Sequence, residues 1–116
     1  MQFKECYQNP FIEERADPYI TLGPDGFYYF TASYPMKSAD DKDGYDRVIL
    51  RRAKDISELA SAEEITIWKV ADTTLTHRFI WAPELHYIAG RWYVFYAGSE
   101  DKENNWAFDC HVLVCD

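Results

Sequence analysis

Few side chains in this sequence are placed to do chemistry, and they gather around two prolines. Asp17 precedes Pro18 in RADPYI, and Glu84 follows Pro83 in IWAPELHYI. Carboxylates carry general acid and base work, and Asp17 stands among apolar residues rather than in a loop such as Asp40-Asp41. Its bland alternative is a turn cap ahead of Pro18. Trp81, ahead of Ala82-Pro83, is either core packing or a flat platform on which a sugar ring stacks. His86 and His77 are lone histidines, and no Ser/His/Asp or Cys/His arrangement is readable from spacing. No glycine-rich phosphate loop is present. Arg15/Asp17 and Asp46/Arg47 read as local ion pairs.

The elements that must position these residues form a repeat. ADPYITLGPDGFYYFTAS returns as APELHYIAGRWYVFYAGS at an offset of 65 residues, pairing Pro18 with Pro83, Tyr28 with Tyr93, Phe30 with Phe95 and Ala32 with Ala97. Each copy is a short apolar strand, a glycine-bearing turn and an aromatic strand. The pattern predicts strands over 17–22, 27–33, 47–53, 65–70, 79–88, 91–97 and 108–114, with Ser57 capping one or two helical turns before Glu64. Strand follows strand at short spacing with almost no helix. The fold class is therefore all-β, and the repeat favours a propeller over a sandwich, because one such unit cannot bury its own face.

Composition narrows the function classes. The chain has 116 residues, enough for one domain, and 17% of them are aromatic. The formal charge of −8 excludes a basic footprint for nucleic acid and disfavours anionic membranes. No apolar run approaches the roughly 20 residues that span a bilayer. Residues 1–5 carry no leader pattern, and Cys6, Cys110 and Cys115 are an odd count. Together these read as reduced thiols in a cytoplasmic protein. Cys110-His111 with Cys115 lacks zinc-knuckle spacing, so buried strand cysteines are expected and no metal site is assigned.

RADPYI, DGFYYFTAS, YDRVILRRA and IWAPELHYIAGRWYVFYA occur in an order and spacing that resembles the N-terminal part of glycoside hydrolase family 43. The likeness runs from about Arg15 to Cys115 and is nearest to the exo-acting α-L-arabinofuranosidases. It implies a five-bladed β-propeller, of which residues 1–116 would be about two blades, a partial catalytic domain. It also implies an inverting mechanism with three carboxylates. Asp17 matches the general base of the A-D-P motif, and Trp81 the tryptophan lining the sugar subsite. Tyr34, Glu84 and His86 fall near the same pocket as substrate-binding candidates. The pKa-modulating Asp and the general-acid Glu would lie beyond Asp116, so the chain alone is expected to be inactive. No cofactor is implied, although some relatives hold a calcium in the channel. The expected partner is arabinan or arabinoxylan oligosaccharide. Two alternatives stay open: a β-xylosidase or endo-arabinanase of the same family, and a non-catalytic fragment that forms homo-oligomers through its open blade edges.

Overall fold

The computed structural model describes residues 1–41, 43–72, 78–100, 103 and 106–115. Among these residues seven strands form two antiparallel sheets. Strands β1 (Ala16–Leu22), β2 (Tyr28–Ser33), β3 (Arg47–Ala53) and β4 (Ile65–Lys69) follow one another in the first sheet. Strands β5 (Arg78–Ile88), β6 (Arg91–Ser99) and β7 (Phe108–Cys115) make the second. These up-and-down sheets are two propeller blades, and the all-β expectation holds. The strand bounds agree with the sequence reading to within one or two residues.

The turns explain why the chain doubles back. Between β1 and β2, Gly26 takes φ 77° and its N–H donates to Gly23 O. Gly23 is needed for a different reason. A Cβ there would stand 2.6 Å from the Tyr29 ring and 2.7 Å from the Asp25 carboxylate. Asp25 orders this turn further, accepting from Tyr29 Oη, Arg52 and the Phe27 N–H. The Arg52 guanidinium and the Tyr29 hydroxyl hold its pKa down at about 2. Between β5 and β6, Ala89 and Gly90 form a two-residue turn with both φ positive, which suits the right-handed twist of the flanking strands. The two loops differ in length, so the 65-residue offset hides a one-residue slip. Ser33 pairs with Ala16, but it is Ala97, not Gly98, that pairs with Trp81.

Period-2 alternation splits the side chains of β2 and β3 between two cores. Phe30, Ala32, Ile49 and Ala53 pack under Leu59 and the N-terminal arm residues Phe11 and Ile12. Val48, on the opposite face of β3, packs with Ile80, Leu85, Val94 and Tyr96 of the second sheet. The first sheet is thus packed on both faces at β2 and β3, while Ile20, Leu22, Ile65 and Ile67 on its outer strands are exposed. The far face of the second sheet, with Ile88, Phe95, Val112 and Val114, is exposed.

Three local readings need correction. The short helix is a 3-10 turn over Ile56–Ala60, capped by Asp55 rather than Ser57. Asp55 accepts from the Ser57 N–H while Glu58 reaches back to the Asp55 N–H, so the capping box starts two residues earlier. Cys110 and Cys115 are exposed rather than buried, as is Cys6, and none of the three is in a disulfide. Cys110 and Cys115 lie on β7, which has a neighbour along one edge only among the described residues. Asp46 and Arg47 do pair, but Arg15 pairs with Glu64 and not with Asp17. The segment between the strands read over 65–70 and 79–88, and that between 91–97 and 108–114, fall largely outside the described residues, as does His77.

Glu64 is the knot of the first sheet. It accepts from Arg15 through both oxygens and from Arg51 Nε at 3.0 Å. Arg51 also donates to the carbonyls of Leu59 and Ala60. One carboxylate therefore joins the start of β1, the middle of β3, the entry to β4 and the end of the 3-10 turn. Burial pushes the Glu64 carboxyl up, and the hydrogen bonds from Arg15 and Arg51 outweigh it, holding the group below the usual glutamate range. A depressed folded-state pKa adds stability above the ordinary value of about 4.3, and that stability is lost as pH falls through the folded value. Thermal melts should therefore fall more steeply below about pH 4.5 in the parent than in Glu64→Gln. At pH 7 the variant should be less stable by about 2 kcal/mol. An unchanged slope would refute the assignment. Ile80→Ala, which opens a cavity between the sheets, should cost about 2–5 kcal/mol in denaturant unfolding.

Candidate active site

Asp17 is placed by a break in its own strand. Ala16 pairs with Ser33 and Tyr19 with Thr31, so the ladder slips between them and leaves an extra residue on β1. Bulges of this kind re-aim a side chain. Asp17 sits there with φ 50°, a left-handed conformation that aspartate tolerates better than most residues, and Pro18 has no N–H to lose from the ladder. The carboxylate is not capping a turn. Its Oδ2 accepts from the Ser33 hydroxyl at 2.8 Å, on the neighbouring strand. Ser33 is fully buried, and its Oγ accepts in turn from the Ala82 N–H at 2.8 Å. A chain of two hydrogen bonds thus runs from β5 through β2 to Asp17.

The second copy of the repeat uses the same backbone device. Ala82 lies 65 residues after Asp17 and has φ 47°, while Phe79 lies 65 residues after Glu14, with φ 59° and 53°. Non-glycine residues rarely hold such angles, and the strain concentrates where function needs a fixed geometry. In the first copy the bulge carries a carboxylate. In the second it carries a methyl group and turns a backbone N–H towards the first blade. β1 and β5, each at one edge of its sheet, lie against one another.

Trp81 is half-buried at the start of the second copy. Its ring stacks on Phe108 at 4.3 Å and meets the edges of Tyr45, Phe79 and Trp106 at 5.6, 5.8 and 5.9 Å. Its Nε1 is buried with no hydrogen-bond partner among the described residues. Glu84 is exposed and its Oε2 lies 3.0 Å from His86 Nε2. The other ring nitrogen of His86 is 3.4 Å from Tyr19 Oη, so His86 bridges β5 back to β1. An open hollow of about 420 Å³ joins Ala82 and Glu84 to Phe108 and Asp109.

The structure brings Asp17 and Trp81 together through Ser33 and Ala82, and it joins Glu84 to His86. It does not bring Tyr34 into that group. The Tyr34 ring lies between the guanidinium groups of Arg15 and Arg47, 4.2 and 4.3 Å from their carbons, and packs on the first core. Ser33, Tyr19, Tyr45 and Phe108 escaped individual notice in the sequence. Ser33 had a signal, as the last residue of the FYYFTAS strand. Tyr45 had one too, as the first residue of YDRVILRRA. No three His, Cys, Asp or Glu side chains converge to hold a metal ion among the described residues.

The protein-family model for glycosyl hydrolases family 43 matches residues 7–116. An extracellular exo-α-(1→5)-L-arabinofuranosidase of Streptomyces avermitilis is 43% identical over 107 residues, which is 92% of this chain and 20% of that protein. An α-L-arabinofuranosidase of Humicola insolens is 47% identical over 91 residues, 78% of this chain and 17% of that protein. The crystal structure of an α-L-arabinofuranosidase from Lactobacillus brevis superposes with a TM-score of 0.77 at 40% identity, covering 95% of this chain and 33% of that one. The chain thus spans between a sixth and a third of the length of these relatives. The cytoplasmic expectation is corrected by the Streptomyces relative, which is named extracellular. That expectation rested on five residues without a leader and on a cysteine count, and neither fixes a compartment. The matching model, the identities and the shared blade geometry together show that the chain belongs to glycosyl hydrolases family 43.

Proposed function

We propose that this chain supplies the general base and one wall of the sugar site in a secreted, exo-acting α-L-arabinofuranosidase that works with inversion. Residues 1–116 are then the first two blades of a catalytic propeller. The observation that carries this reading is the Asp17 carboxylate. It stands exposed on β1, with one oxygen held by Ser33 and the other without a hydrogen-bond partner among the described residues. The names of the relatives at 43 and 47% identity support the choice of sugar.

In such a reaction Asp17 takes a proton from a water whose oxygen bonds to the anomeric carbon from the face opposite the leaving group. The glycosidic C–O bond breaks, its electron pair stays on the leaving oxygen, and a carboxylic acid elsewhere protonates that oxygen. The two carboxyl groups must stand about 6.5–9.5 Å apart to admit the water. Glu84 is already engaged with His86, so the acid and the residue that modulates it are assigned to further blades. The Trp81 cluster supplies an apolar face for the sugar's C–H surface, and the unpartnered Nε1 is a donor for a sugar hydroxyl.

The 116-residue chain should release no arabinose from an α-1,5-linked arabino-oligosaccharide above background. The polypeptide that carries these residues with the remaining blades should release it. Proton NMR should show the β-anomer as the first product. Asp17→Ala should lower kcat by about 10²–10⁴-fold. An α-anomer appearing first, or an Asp17→Ala variant with parent kcat, would sink the proposal. An aryl arabinofuranoside should be run beside the oligosaccharide, because a good leaving group needs little acid help.

A further inference from the structure

We infer that Ser33 is the positioning residue of the Asp17 carboxylate, and that it ties the aim of this base to the seating of the second blade. This rests on Asp17 being the base. Three observations carry it.

The first is the direction of the hydrogen bonds. A serine hydroxyl has one proton to give and can accept from two donors. The Ala82 N–H donates to Ser33 Oγ at 2.8 Å, which fixes the oxygen's acceptor side. The only proton then points to Asp17 Oδ2, also at 2.8 Å. Ser33 is fully buried, so water does not compete for either bond. The hydroxyl rotor is locked as a donor to the carboxylate.

The second is where the lock comes from. Ala82 N–H is a ladder group that leaves its own sheet. It is free to do so because β5 slips register between Trp81 and Glu84, with Ala82 at φ 47°. Alanine gains nothing locally from that conformation. What it presents is a backbone donor that no side-chain motion can withdraw.

The third is what remains open. With Oδ2 held, Oδ1 is the oxygen available to the attacking water. A base held by one oxygen keeps its plane and its distance from the substrate, which is what proximity catalysis requires. The proton moves from water to Oδ1 as the water oxygen bonds to the anomeric carbon and the glycosidic pair departs. Ser33 keeps its own proton throughout.

The test uses Ser33→Ala, Ser33→Thr and Asp17→Ala in the complete polypeptide, with kcat and KM measured separately. Ser33→Ala should lose about 10–100-fold in kcat with KM changed less than about twofold, as positioning groups around an active site commonly do. The loss should persist on α-L-arabinofuranosyl fluoride, whose departure needs no acid. Ser33→Thr, which keeps the hydroxyl, should recover most of kcat. In the 116-residue chain, the Ala82 amide should exchange slowly with deuterium and at least about tenfold faster in Ser33→Ala, since it loses its acceptor. If Asp17→Ala is inactive while Ser33→Ala keeps parent kcat, the positioning role falls and the base assignment stands. If Asp17→Ala keeps parent kcat, the base assignment itself falls. An Ala82 amide that exchanges freely in the parent chain overturns the lock whatever the kinetics show.

Discussion

Neither sheet of this chain can bury its own inner face, and the rest of the structure depends on that constraint. Val48 from the first sheet meets Ile80, Leu85, Val94 and Tyr96 from the second, all buried. Fully burying side chains of this size stabilises by about 1.5–3 kcal/mol each. This shared core sets how close β1 and β5 come. Only at that spacing does the Ala82 N–H reach the Ser33 hydroxyl. The polar chain that ends on Asp17 is therefore a consequence of apolar packing between blades.

The repeat shows how one backbone device is put to two uses. Both copies bulge beside a proline and hold a non-glycine residue at positive φ. A side chain at this position projects away from the ladder, and in the first copy it is a carboxylate. The second copy carries only the methyl of Ala82, and its backbone N–H donates to Ser33 of the first blade. Around this pair the aromatic excess divides by location. Phe30 and Tyr96 fill cores, while Trp81, Trp106 and Phe108 gather on the side of the sheets where the bulges lie. The Glu64 knot does comparable work for the first blade, because two guanidinium groups compensate a largely buried carboxylate.

Most of the fold was legible in the sequence. Strand content, hairpins and the two-copy plan follow from alternation and from glycine-bearing turns, which are local. Asp17 and Trp81 were legible because the residues around them are distinctive. A short helical segment was read near the right place, but it is a 3-10 turn that ends at Ala60, and Asp55 rather than Ser57 caps it, since both are good caps and only the backbone path chooses between them. Cys110 and Cys115 were read as buried because strand cysteines usually are, yet among the described residues β7 has a neighbour along one edge only. Tyr34 follows Ser33 directly, but two arginines distant in sequence hold its ring in the first core.

By itself, the sequence determined the elements, their order, the repeat and the family, because these rest on local periodicity and on residue identity along the chain. Only the tertiary structure decided which groups touch. It paired Arg15 with Glu64, 49 residues away, rather than with the nearby Asp17. It linked Ser33 to Ala82 across another 49 residues, joining two blades through one hydroxyl. Such contacts depend on how two sheets seat against each other, and no spacing along a single strand encodes that distance.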